Sequence, residues 1–141
     1  MNYIFSAIFL YFFLGFLLYI FQRRIVFNKS GHPGAPKDYN LDNTEEVYIK
    51  TEDNLKLLSW YHKGNNSLPL IVYFHGNSFH IGDRAYRIQK YIEKNCSVLL
   101  VSWRGFGGNE GNPTEKNLYK DSEAVLKWIK NNTEFKFKEL V

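Results

Sequence analysis

The amino-acid sequence predicts an α/β fold behind one N-terminal transmembrane helix. Two short apolar runs, residues 70–74 and 98–101, have the pattern of strands that are covered on both faces. Between them, apolar residues recur at helical spacing, at Ile81, Ala85, Ile88 and Ile92. The order strand, helix, strand implies a right-handed parallel crossover, which is the building unit of an α/β sheet.

Composition and charge exclude several kinds of function. The chain has 141 residues, which is enough for one soluble domain after an apolar first segment. Its 18 basic residues exceed its 14 acidic residues only slightly and are scattered, so nucleic-acid binding is not expected. Cys96 is the only cysteine, which excludes an internal disulfide and a CxxC metal site, and we expect it to be a small buried residue. We expect no metal and no cofactor.

The first segment predicts a membrane anchor, which we assign to residues 1–22. Residues 3–21 contain no charge and are long enough to cross the hydrocarbon core of the bilayer. A cleaved signal peptide is the alternative, but no basic side chain precedes the apolar run and no small-x-small site follows it. Basic residues follow the run, at Arg23, Arg24 and Lys29. They favour a single-pass protein whose soluble part is cytoplasmic.

A linker is predicted between the anchor and the domain, over residues 23–45. Residues 28–45 are rich in Gly, Pro, Asn and Asp and show no hydrophobic period, so we expect them to lift the domain off the membrane surface. His32 lies in this segment and is expected to be solvated. The remaining residues, 46–141, form the predicted domain.

The domain begins with a predicted hairpin. Residues 47–49 and 55–61 favour strands, and Asp53 and Asn54 supply turn chemistry between them. His62 is expected to be an exposed residue of the second strand.

A glycine-rich loop and a second helix follow the strand at residues 98–101. Residues 102–113 contain four glycines and are expected to form a loop. Thr114 is a predicted N-cap, and Asn131 and Asn132 end the predicted helix. The apolar face of that helix is formed by Leu118, Ser122, Val125 and Ile129.

Three segments of the sequence carry a resemblance to a known family. They read, in chain order, YFHGNSFHIGDR, VSWRGFGGNEGNPTE and LYKDSEAVLKWI. In this order, behind one N-terminal anchor, they resemble the membrane-anchored α/β-hydrolases of the Bem46 type, which are related to the αβ-hydrolase-domain proteins. The resemblance covers essentially the whole chain. It implies the first four strands of an α/β-hydrolase sheet, in the order one, two, four, three, with two helices.

The resemblance also implies roles for five residues. In the family, the turn after the third strand supplies a backbone N–H to the oxyanion hole of a serine hydrolase. Here His75 and Gly76 would shape that turn, and the backbone N–H of Asn77 would be the donor. Arg104 and Gly105 would brace this corner. The chemistry implied is hydrolysis of an ester, thioester or amide without a cofactor.

The catalytic residues of the family are not found in this sequence. No serine lies between two glycines, so the G-x-S-x-G elbow is missing, and the acid and histidine of the triad are missing with it. Relatives typically have Gly-Asn where this sequence has Phe79 and His80. Ser78, His80 and Asp83 are close in sequence, but residues on one tight turn cannot line up as a triad.

Three hypotheses follow from these observations. In the first, the chain is a truncated, membrane-anchored hydrolase that is inactive alone, and the strand at residues 70–74 has an apolar edge without a neighbour. In the second, a complementing C-terminal hydrolase chain docks on that edge and supplies the elbow and the triad. In the third, the chain is a non-catalytic anchored binding module that folds without a partner.

Overall fold

The computed structural model describes residues 2–29 and 31–141; Met1 of the predicted anchor and Ser30 of the predicted linker lie outside the described residues. The helices are α1 (Asn2–Val26), α2 (Ala85–Ile92) and α3 (Glu115–Asn132). The strands are β1 (Asn28–Lys29), β2 (Thr44–Lys50), β3 (Lys56–His62), β4 (Leu70–Phe74), β5 (Ser78–Phe79) and β6 (Ser97–Val101). Short 3-10 helices cover Pro36–Tyr39, Ile81–Arg84 and Phe137–Glu139.

Four strands form the main sheet, in the order β2-β3-β6-β4. β3 is antiparallel to both of its neighbours, whereas β4 and β6 are parallel, with Leu70 opposite Ser97 and Phe74 opposite Val101. The predicted hairpin, the parallel crossover and the strand order one, two, four, three are therefore confirmed. All residues of β6 are buried, which explains why its sequence is a continuous apolar run.

The two faces of the sheet are covered by different helices. Because side chains of a strand alternate between faces, Leu99 packs with α3 while Leu100 packs with α2. The cluster on the α3 side includes Ile49, Leu57, Leu70, Val101, Val125 and Ile129. The cluster on the α2 side includes Leu41, Leu58, Trp60, Ile81, Ile88 and Val98. The strand ends on which a site can be built are thus held by a packed core on both sides.

The ends of α3 agree with the sequence. Thr114 caps the helix, since its hydroxyl oxygen accepts a hydrogen bond from the Asn117 N–H at 3.2 Å. The helix ends at Asn132, and Val125 and Ile129 are buried on its inner face, as predicted.

Two expectations about single residues are wrong. His62 is buried at the end of β3, opposite Thr44 of β2, and its Nδ1 atom lies 3.3 Å from the hydroxyl oxygen of Thr44. Burial lowers the pKa of His62. Cys96 is only half-buried, because it precedes β6 at the surface end of the sheet.

The segment assigned to a linker packs on the domain and does not hold it away from α1. Pro33 and Pro36 are buried, and the Tyr39 ring lies against Trp60 with 5.4 Å between the ring centroids. The Tyr39 hydroxyl donates a hydrogen bond to the Pro33 carbonyl at 2.7 Å. The segment thus contributes the Tyr39 ring to the packing around Trp60, which is fully buried.

The last two residues pair with the edge of the sheet. The Val141 N–H donates to the Leu70 carbonyl at 3.0 Å, and the Val72 N–H donates to the Val141 carbonyl at 2.8 Å. Leu140 forms a parallel bridge with Leu70. The expected free edge of residues 70–74 is therefore covered over its first half, because an apolar tail reaches it.

The apolar helix α1 is longer than the uncharged run. It continues through Arg23 and Arg24 to Val26, and its large apolar side chains are exposed. The helix is long and apolar enough to cross a membrane.

Candidate functional site

The His75-Gly76-Asn77 turn, which we call the HGN turn, lies at the carboxyl end of β4. Because β4 and β6 are parallel, their carboxyl ends meet at one edge of the sheet, where ligand sites of α/β proteins usually lie. The loop of residues 102–113 follows β6 at the same edge. His75 is buried, whereas Gly76 and Asn77 are exposed.

Trp103 holds His75 in place. The Trp103 backbone N–H donates to His75 Nε2 at 3.2 Å, and the indole Nε1–H donates to the His75 carbonyl at 2.8 Å. The indole also stacks on Phe74 at 4.5 Å, and the imidazole meets the Phe106 ring edge-on at 5.0 Å. Burial lowers the pKa of His75 to about 4, and a ring nitrogen that accepts a hydrogen bond requires the neutral form. His75 is thus a neutral residue that shapes the turn.

The backbone N–H groups of the turn are available to a ligand. No described residue accepts a hydrogen bond from the N–H of Gly76 or of Asn77. The other polar groups of Asn77 are occupied: its carbonyl accepts from the Asn28 N–H at 3.1 Å, and its side-chain amide donates to the Val26 carbonyl at 2.8 Å. Asn77 is therefore fixed by the end of α1, and its N–H can meet a negative charge.

Phe79 has the backbone conformation of a glycine. Its φ is +65°, in the left-handed region that bulky residues rarely adopt. The side chain is exposed, so the backbone and not the ring determines this geometry. β5 pairs in parallel with β1, with Phe79 opposite Lys29, and this pairing holds the strained residue. The turn therefore contains a left-handed position that is occupied by a residue other than glycine.

Ser78, His80 and Asp83 do not form a triad. His80 Nδ1 lies 3.0 Å from Asp83 Oδ2, which also accepts a hydrogen bond from the His80 N–H at 3.2 Å. The Ser78 hydroxyl instead contacts the side-chain oxygen of Asn77 at 3.4 Å. His80 and Asp83 therefore serve to start the short 3-10 helix before α2.

Arg104 forms a buried ion-pair cluster on the opposite side of the glycine loop. Its Nη2 and Nε atoms donate to Asp121 Oδ1 at 2.6 and 2.8 Å, and its Nη1 atom donates to Asp53 Oδ2 at 2.7 Å. The Arg104 N–H donates to Asp121 Oδ2 at 3.1 Å. Hydrogen bonds from Arg104 and Thr51 hold the pKa of Asp53 well below its usual range. The cluster ties the glycine loop to the hairpin turn and to α3.

The comparisons with known proteins agree with this geometry. No family model matches the chain. The protein bem46 of Schizosaccharomyces pombe is 30% identical over 126 residues, which are 82% of this chain and 42% of that protein. The alpha/beta hydrolase domain-containing protein WAV2 of Arabidopsis thaliana is 28% identical over 134 residues, or 89% of this chain and 43% of that protein. Among solved structures, the esterase Pf2001 of Pyrococcus furiosus superposes with a TM-score of 0.58 at 26% identity, covering 75% of this chain and 42% of that one.

The chain is related to the α/β-hydrolases of the Bem46 type. It has the corresponding fold, with a partial sheet behind an apolar helix. It spans less than half the length of the relatives given above.

Within this α/β-hydrolase fold, Trp103 is the site residue that the sequence analysis missed. The resemblance assigned the bracing of the corner to Arg104 and Gly105, and the partners of Arg104 lie on the hairpin turn and α3 instead. Gly105 has a φ of +77°, and a Cβ there would lie 2.8 Å from the Gly111 carbonyl oxygen, so a glycine is needed for the loop to close. The sequence did hold one indication that Trp103 lies at the site, because it directly precedes Arg104 and follows the end of β6 by two residues.

The site offers no group of metal ligands. Within the described residues, no three His, Cys, Asp or Glu side chains are placed to hold a metal ion. The chemistry available at this edge is hydrogen bonding from backbone N–H groups.

Proposed function

We propose that this chain is the N-terminal part of a membrane-anchored serine hydrolase that cleaves ester, thioester or amide bonds. The observation that carries the proposal is the free backbone N–H of Asn77, exposed at the carboxyl end of a parallel strand on a turn locked by His75 and Trp103. In a complete site, one such donor stabilises the oxyanion of the transition state by about 3 kcal/mol.

The anchor determines where this reaction takes place in the proposal. Val26, the last residue of α1, and Asn28, the first residue of β1, both hydrogen-bond to Asn77. If α1 crosses the membrane, the HGN turn therefore lies at the membrane surface, and substrates can approach along that surface. Arg23, Arg24 and Lys29 follow the apolar run, which favours a cytoplasmic position for the domain.

These 141 residues are proposed to be inactive by themselves. No serine lies on a G-x-S-x-G elbow, and Ser59, Ser97 and Ser102 are fully buried. Ser78 is next to the turn but contacts Asn77 and no general base. An oxyanion donor without a nucleophile lacks the covalent step of the reaction.

A second candidate is one half of a split hydrolase, and the sheet edge favours it. Leu140 and Val141 pair with the first half of β4, while Tyr73 and Phe74 have no strand partner on that side among the described residues. A complementing chain could add the missing strand there by β-augmentation and bring the elbow beside Asn77.

The test uses a serine-directed fluorophosphonate on the membranes in which the protein is made. The protein is then purified with an antibody against residues 108–117, most of which are exposed, and the mass of every labelled species is measured. We expect the species of 16.7 kDa to carry no label above a heat-denatured control.

The outcomes separate the candidates. A heavier labelled protein that itself contains residues 108–117 supports a single-chain hydrolase, and a labelled companion that co-purifies with the unlabelled 16.7 kDa chain supports the split enzyme. Stoichiometric label on the 16.7 kDa chain would contradict the missing nucleophile. The absence of any labelled species would contradict the hydrolase assignment.

A further inference from the structure

A basic pocket lies where α1 meets the glycine loop, beside the HGN turn. Its volume is about 490 Å³. It is lined by Arg23, Arg24, Phe27, Asn28, Lys29, Asn112 and Pro113. Three of these residues are cations, and of the described residues that line the pocket none is acidic. The pocket thus has the charge of an anion site.

The three cations are available to a ligand. The ion pairs between described residues involve His80, Arg104 and Lys120, and none of them involves Arg23, Arg24 or Lys29. All three side chains are exposed. Their positive charge is therefore not neutralised by a carboxylate within the described part of the chain.

This pocket is formed by the packing of two distant segments, the residues around the end of α1 and the glycine loop. Phe27 packs edge-on against Phe106 of the glycine loop at 6.1 Å, which brings Lys29 against the same loop. The Lys29 ammonium lies 3.0 Å from the position that a Cβ on Gly105 would occupy. Pro113 is buried and forms the opposite wall. The cations on the α1 side and the polar and apolar groups of the loop therefore face one ligand together.

An apolar groove leads from α1 into this pocket. It follows the helix surface and is lined by Leu14, Leu17, Leu18, Phe21 and Ile25, together with Arg24. Arg24 also lines the basic pocket, so the two sites meet at its side chain. An acyl chain in the groove would place its headgroup at the three cations.

We infer that the pocket binds the phosphate of an anionic phospholipid whose acyl chain lies along α1. A guanidinium presents paired donors to phosphate oxygens, and two adjacent arginines with a lysine supply the charge that attracts an anionic headgroup. The apolar groove favours a lipid over free phosphate. This inference does not depend on the proposed hydrolase function, because it concerns residues outside the HGN turn.

The first experiment measures ligand binding to the full chain in an uncharged maltoside detergent. The probes are dihexanoyl phosphatidic acid, dihexanoyl phosphatidylcholine and inorganic phosphate, and binding is followed by phosphorus NMR. We expect the phosphatidic acid to bind about tenfold more tightly than either other probe. Equal binding of inorganic phosphate would overturn the assignment to a lipid, and no binding of the phosphatidic acid would overturn the site.

The second experiment compares two variants that each lose three positive charges. One is Arg23→Gln/Arg24→Gln/Lys29→Gln, and the control is Lys56→Gln/Lys63→Gln/Lys130→Gln, whose exposed lysines lie outside the pocket. We expect a loss of about tenfold or more in affinity for phosphatidic acid in the first and less than about twofold in the control. Equal losses would mean that net charge and not the pocket attracts the lipid. Because all six side chains are exposed, both variants should keep the wild-type circular dichroism.

Discussion

Two loops leave the same edge of the sheet, one after β4 and one after β6. They differ in whether their polar groups are paired within the chain or remain free. In the loop after β6, Arg104 is 2% exposed, and Asp53 and Asp121 accept hydrogen bonds from its guanidinium. In the loop after β4, no described residue accepts from the N–H of Asn77, and Phe79 adopts a φ of +65°.

This contrast separates a structural loop, after β6, from a loop that is a candidate for function, after β4. Arg104 is a buried charge whose hydrogen-bond partners are in place. Removing one of these partners strongly destabilises a fold, because the charge is then left buried without compensation. The exposed N–H of Asn77 is hydrated and costs little stability, whereas the left-handed backbone of Phe79 is strained, and such strain is often found at functional sites. Changes in the loop after β6 should therefore affect folding, while the loop after β4 should tolerate changes with smaller costs.

The largest expected effect comes from removing one of the carboxylates that pair with Arg104. The substitution Asp121→Ala leaves a buried guanidinium with one partner fewer, and we expect it to lower the free energy of unfolding by about 3 to 5 kcal/mol. The measurement is urea denaturation of the full chain in detergent, followed by tryptophan fluorescence. The control is Lys120→Gln, also on α3, which removes an exposed ion pair with Glu52 of the hairpin turn and should have a far smaller effect. If the two substitutions lower the free energy of unfolding equally, the Arg104 cluster has no special structural role in the loop after β6.

The next largest effect is the response of the HGN turn to pH. The pKa of His75 is about 4 in the folded chain and about 6.5 when it is unfolded, so between these values only the unfolded chain binds the proton. His75 makes its full contribution to the free energy of unfolding above about pH 6.5. This contribution falls by about 3 kcal/mol in total as the pH is lowered to about 4.

The measurement is the free energy of unfolding between pH 7 and 4.5 for the wild type and for His75→Gln. The His75→Gln chain should show a shallower decline. His62, whose pKa burial also lowers, accounts for part of the decline that remains. A wild-type slope in His75→Gln would show that the ring does not stay neutral.

A smaller effect is expected from the contact that joins the two loops. The substitution Trp103→Phe removes the indole donor to the His75 carbonyl and should lower stability by about 1 kcal/mol beyond the loss of packing. Trp128→Phe is the matched control, because Trp128 is half-buried against Tyr61 and its indole nitrogen has no hydrogen bond to a described residue. If both variants lose the same stability, Trp103 acts only by packing.

The smallest expected effect is a gain at Phe79. A left-handed conformation costs most residues about 1 to 2 kcal/mol, and asparagine tolerates it better, so Phe79→Asn should raise stability by about 0.5 to 1 kcal/mol. Phe79→Ala keeps the strain and removes the ring, which separates the two contributions. A loss of stability in Phe79→Asn would mean that the ring and not the backbone dominates at this position.

The sequence predicted the local elements well. Residues 70–74 and 98–101 are strands because their apolar runs can only be satisfied on both faces of a sheet, and Thr114 caps α3 because its hydroxyl is three residues before a free N–H. The HGN turn was identified from the resemblance to the α/β-hydrolases. These features depend on residues close in sequence.

Contacts between distant segments account for the errors. Residues 28–45 read as a linker because their prolines and glycines have no period, yet Pro33 and Pro36 are buried and Tyr39 packs on Trp60. His62 was expected to be exposed because the strand pattern alone does not show which residues surround its side chain in the fold.

Periodicity and short motifs were sufficient to predict an apolar helix, a hairpin, a parallel crossover and a turn with backbone donors. Three contacts could be recognised only in the folded chain: Trp103 holds His75, Arg104 pairs with Asp53 and Asp121, and the end of α1 is bonded to Asn77. These hydrogen bonds join residues that are 17 to 51 positions apart in the sequence. Only the packing of the whole sheet brings such residues within bonding distance.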